Sequence, residues 1–108
     1  MSYRPLLPFK PYAAATQART VSTSSARAAL PASTMQVMLS TVAGDSICFV
    51  ELGDSSVTAV VPSGATLGGT PINGGAAQVF GVPLNATHVA AITASGTATL
   101  YITPAEGM

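Results

Sequence analysis

The chain has 108 residues and a mass of 10.7 kDa, enough for one small domain. Charged residues are 7% and hydrophobic residues 48%, which excludes a disordered chain and a coiled coil. One His, one Cys and four carboxylates leave little for acid–base or metal chemistry and argue against an enzyme.

Residues 1–18 carry Pro5, Pro8 and Pro11. Proline fixes φ and lacks a donor, so this stretch is read as extended and polyproline-like rather than as helix or central strand. Tyr3, Leu6, Leu7, Phe9 and Tyr12 make it too apolar for an idle tail. Ala13–Ala18 could form one helical turn. Residues 21–30 alternate weakly and predict one or two edge strands, closed by Pro31. Residues 1–33 are therefore read as an extended, proline-spaced basic arm that includes any such edge strand, and 34–108 as the body.

The body predicts short strands divided by turns. Thr34–Thr41 alternates Met35, Val37 and Leu39 with Gln36, Met38 and Ser40. Ala43–Ser46 is a turn. The apolar run Ile47–Leu52 predicts a strand with both faces covered. Gly53–Ser56 is the next turn, and the β-branched run Val57–Val61 the next strand. Residues 65–75 read as a loop around a short strand at Pro71–Ile72, with Asn73-Gly74-Gly75 suited to positive φ. Gln78–Val82 is a strand. Thr87–Thr93 and Thr97–Thr103 predict a hairpin closed by Ala94-Ser95-Gly96, with Ala98, Leu100 and Ile102 on one face and Pro104 ending the ladder. Seven or eight short strands without helical period predict an all-β fold: a small antiparallel β-sandwich or jelly-roll-like barrel with an extended N-terminal arm.

The charges are partitioned. Arg4, Lys10, Arg19 and Arg27 precede Asp45, Glu51, Asp54 and Glu106. Four cations in 27 residues are too sparse for a polybasic patch, and no aromatic–basic platform accompanies them, so nucleic acid is not expected. Arg4, Leu6, Leu7, Phe9, Lys10, Tyr12, Arg19 and Arg27 are the candidate partner-binding residues, cations for acidic surfaces and apolar side chains as anchors. His88 shares a face with Ala90 and Ile92 and has no neighbouring ligand, so it reads as a hydrogen-bonded strand histidine. Asp45 and Asp54 precede serines and read as caps of their own turns. Glu51 could pair with an arm arginine. Cys48, in the run Ile47-Cys48-Phe49-Val50, reads as a core hydrophobe, and a lone cysteine suits a reducing compartment. No catalytic residues, metal site or cofactor site are expected. The prolines break the only N-terminal apolar stretch, so no secretory signal is read. No 18-residue apolar run exists, so no membrane span is read.

Two stretches carry a resemblance. They are Phe49-Val50-Glu51-Leu52-Gly53-Asp54-Ser55-Ser56-Val57-Thr58-Ala59 and the run from Thr87 through Gly107, which includes Thr93-Ala94-Ser95-Gly96-Thr97 and Leu100-Tyr101-Ile102-Thr103-Pro104. They resemble small virion structural proteins of tailed bacteriophages and prophages, of capsid decoration (cement) or neck type. The resemblance implies synthesis in the host bacterial cytoplasm and a place in the virion, the capsid surface being favoured. It implies the major capsid protein or other virion structural proteins as partners and a homo-oligomer, with a trimer as the natural guess. The composition and the lack of a catalytic motif, rather than the resemblance, lead to the expectation of no membrane, nucleic acid or small-molecule substrate. A neck, tail or fibre-attachment adaptor is the competing expectation, and a host-glycan-binding module a third.

Overall fold

The computed structural model describes residues 11–105. Among the described residues eight strands follow one another without a helix: β1 (Gln17–Val21), β2 (Ala26–Ala29), β3 (Gln36–Thr41), β4 (Cys48–Gly53), β5 (Thr70–Ile72), β6 (Ala77–Gly81), β7 (His88–Thr93) and β8 (Ala98–Ala105). They form two four-stranded sheets ordered β1-β8-β3-β6 and β2-β7-β4-β5, and every pairing is antiparallel. All links but β4–β5 step from one sheet to the other. That order, with first and last strands adjacent in one sheet and second and seventh in the other, is an eight-stranded jelly roll.

The period-two alternation supplies the interior. Val37 and Leu39 of β3, Cys48 and Val50 of β4, and Ala98, Leu100 and Ile102 of β8 point between the sheets and are buried. Val21, Ala28, Ile72, Val89 and Ala91 complete the cluster. No aromatic side chain of the described residues belongs to it, although Phe80 packs against its rim. Two buried threonines bond backbone groups of the neighbouring turns. Thr41 Oγ1 donates to the Asn73 carbonyl (2.7 Å) and accepts from the Gly75 amide (3.1 Å). Gly75 has φ of +81°, the conformation for which the Asn-Gly-Gly run is suited. Thr93 Oγ1 closes the following turn on the Gly96 carbonyl (2.8 Å).

Several expectations change. The two C-terminal strands exist, but they are not a hairpin: β7 pairs with β2 and β4, and β8 with β1 and β3. The Ala94–Thr97 link crosses between the sheets, which a short Gly-containing connection does as readily as it closes a ladder. Residues 57–61 are not a strand. β-Branched residues report fit to a half-buried surface, not the presence of a ladder partner. Here the partners are single groups: Ser25 Oγ accepts the Ala59 amide (2.8 Å) and the Val60 carbonyl accepts the Gly69 amide (2.9 Å). β4 begins at Cys48 and buries one face only, leaving Ile47 43% exposed. Met35 precedes β3 and is exposed rather than sharing the burial of Val37 and Leu39.

Pro104 does not end β8, which runs to Ala105. The Pro104 carbonyl accepts the Tyr12 amide (3.0 Å), so this residue turns its backbone toward the β1 side, beyond the last β1–β8 pair at Gln17 and Ile102. Its missing N–H therefore costs no bond to β3. Upstream, Ala14 takes φ of +52° in a turn instead of a helical one, and residues 17–29 supply both edge strands β1 and β2. The sandwich thus extends well upstream of residue 34, because Val21 and Ala28 are core residues.

Candidate functional site

β1 and β2 lie on the same side of the sandwich, each at the edge of its sheet. In β1, Gln17, Arg19 and Val21 stand opposite Ile102, Leu100 and Ala98 of β8. Cross-strand partners point to the same face, so an amide and a guanidinium are directed toward the space between the sheets. On β2, Ala28 faces inward opposite Val89. Small side chains (Ala28, Ala91) leave this edge unfilled. The result is a cavity of about 250 Å³, floored by Val89, Leu100 and Ile102 and open to the side.

Arg19 crosses the mouth. Its Nε and Nη2 both donate to Gln17 Oε1, at 3.1 and 2.8 Å. Gln17 Nε2 in turn donates to the Ala29 carbonyl of β2 at 2.8 Å. This chain of bonds braces the two edge strands and orients the guanidinium. Arg27 faces the other way, onto the outer surface of the second sheet, and its Nη1 donates to the Val57 carbonyl (3.3 Å). Arg19 and Arg27 are the two Lys or Arg residues among the described residues, and both belong to the open edge strands.

The remaining candidates fall elsewhere. Arg4, Leu6, Leu7, Phe9 and Lys10 lie outside the described residues, as does Glu106. Tyr12 donates its hydroxyl to the Ser33 carbonyl (3.3 Å), beside a second groove between the 30–35 and 82–87 connections. That groove has a volume of about 320 Å³ and carries Met35 and the fully exposed Leu84. Among the described residues Glu51 does not meet an arginine: Arg27, Ala90 and Glu51 stand in line on adjacent strands, so two strand spacings separate the charges.

Asp54 caps its own turn, accepting the Ser56 hydroxyl (2.7 Å) and amide (2.9 Å) on Oδ1. The Ser56 hydroxyl, then its amide, hold the carboxyl below its usual range, with His88 and Arg27 adding to the effect. Asp45 reaches past its turn, and its Oδ2 accepts the Thr99 amide of β8 at 2.9 Å. His88 Nδ1 bonds Thr87 Oγ1 at 2.8 Å, as a strand histidine should. Cys48 is fully buried in the core, and burial first, then Asp45, push its thiol up.

The sequence reading chose Arg19 and Arg27 for charge alone and missed Gln17. The signal was present: Gln17, Arg19 and Val21 alternate with Ala18 and Thr20. Scans against protein-family models, curated proteins and solved structures each return no match for this chain.

Proposed function

We propose that this chain is a virion structural protein of tailed-phage type, a capsid decoration protein that binds the major capsid protein and reinforces the head. The observation that carries this reading is a thinly charged jelly roll displaying large apolar side chains. Leu84 is 99% exposed, Leu67 90%, Met35 55% and Val79 53%. Such a surface is poorly suited to a free monomer and well suited to burial in an assembly. The resemblance of residues 49–59 and 87–107 to phage virion proteins points the same way. Fold alone carries no function; the apolar, thinly charged surface supports this one.

In this reading the body lies on the capsid lattice as a homo-oligomer. Leu6, Leu7, Phe9 and Tyr12 anchor the N-terminal arm on a neighbouring subunit, and Arg4 and Lys10 meet acidic patches there. Many copies each bury apolar area, and the sum resists internal pressure. The test is abundance: quantitative mass spectrometry of purified virions should find this chain at a copy number approaching that of the major capsid protein. A few copies per virion would instead assign it to the neck or tail.

A further inference from the structure

We propose that the open edge at β1 is a docking site for an extended segment of a partner protein, carrying one carboxylate opposite Arg19 and an aliphatic side chain two residues away over the cavity. The proposal deepens the reading above by naming the chemistry of the partner segment.

The backbone is arranged for it. The Tyr12–Pro104 bond shows that Pro104 directs its N–C=O groups toward β1, and alternation extends this to Ile102 and Leu100. Their partners Gln17 and Arg19 therefore bond to β8. Ala18 and Thr20 direct their N–H and C=O groups away from the sheet, to the open side. An added strand finds donors and acceptors there that are unpaired among the described residues.

The side chains select what is added. Residues of an added strand that face inward recur every second position. The one opposite Arg19 meets a guanidinium with two of its five N–H groups engaged by Gln17 and no further partner among the described residues. A carboxylate matches that geometry. The inward position beside Val21 looks onto Ala28 and Val89, where the 250 Å³ cavity accepts an aliphatic side chain. A second copy of β1 is the wrong occupant. Antiparallel pairing of β1 with itself, in full register, places Arg19 opposite Arg19, and like charges directly opposite are destabilising. Charge complementarity thus favours an acidic partner strand over self-association.

The test uses the full-length protein, labelled with ¹⁵N, and three end-capped peptides of alternating sequence. They are Thr-Val-Thr-Glu-Thr-Val-Thr and its analogues with Gln or Lys in place of Glu. The Glu peptide should shift the amide signals of residues 17–21 and slow exchange at Ala18 and Thr20. It should bind roughly fivefold more tightly than the Gln peptide, the effect of one exposed ion pair. Arg19→Glu should reverse the preference in favour of the Lys peptide. Thr20→Pro, which removes an outward N–H and no bond to β8, should abolish binding of all three. Equal affinity for the three peptides would overturn the proposal. So would signal shifts away from β1, or octanoate filling the cavity as well as the Glu peptide does. The two readings fail separately: if wild-type and Arg19→Glu proteins decorate heads equally well, only the docking edge is lost. If the Glu peptide binds as described but the chain is scarce in virions, only the capsid assignment is lost.

Discussion

Replacing Leu100 by alanine probes the interior beside the cavity at the open edge of the two sheets. Leu100 is 1% exposed, sits on central strand β8 and forms part of the cavity floor. Removing its three terminal carbons costs about 2.4 kcal/mol in transfer free energy, at about 0.8 kcal/mol per group. A fully retained hole adds about 2 kcal/mol more, at about 24 cal/mol per Å³ over roughly 80 Å³. At Leu100 the edge strands β1 and β2 are free to move inward, so part of that second contribution is relieved and about 3 kcal/mol is expected. Leu39, fully buried on β3 between β8 and β6, has no open edge beside it. Leu39→Ala should cost about 4 kcal/mol. Either is a large share of a total stability of about 5–15 kcal/mol. Urea unfolding followed by far-ultraviolet circular dichroism gives both values, provided the slope m is unchanged. A cost below about 1 kcal/mol for both would refute the packed interior. A larger cost at Leu100 than at Leu39 would refute the relaxation of the open edge.

Gly69→Ala should lower stability by about 2 kcal/mol in a thermal melt, because an added Cβ would lie 2.6 Å from the Val50 carbonyl oxygen, a backbone atom that cannot step aside. Asp54 has a carboxyl pKa lowered by Ser56, so its contribution is present above the unfolded carboxyl pKa and is lost as pH falls through the folded one. In an NMR pH titration Ser56→Ala should raise the Asp54 midpoint, and an unchanged midpoint would contradict the assigned cause. Cys48 should resist alkylation in the native protein and react only as fast as the chain opens, since it is buried and its thiol is held neutral. Rapid labelling without denaturant would show that β4 is not where the core places it.

The sandwich was legible because its inner faces alternate. Val37 and Leu39, or Ala98, Leu100 and Ile102, declare both strand and face. What was not legible was partnership. Thr87–Thr93 and Thr97–Thr103 look like a hairpin because a short Gly turn joins two strands, and nothing local says that each belongs to a different sheet. Val57–Val61 has strand composition but only isolated partners, among them Ser25, Arg27 and Gly69. Pro104 was read as a stop because a proline forfeits a donor, yet that donor would face beyond the end of β1. The open edge was half legible. Arg19 drew notice as a charge, but its inward orientation follows from its register with Leu100, which only the assembled sheet defines.

The central claim is that this jelly roll acts by lying on a capsid. Cryo-electron microscopy of intact virions tests it most directly, with symmetry imposed on the head and released at the neck. The account predicts density for the two-sheet body repeated across the capsid lattice, with residues 1–10 reaching a neighbouring subunit. Density confined to the portal vertex or the tail would contradict it.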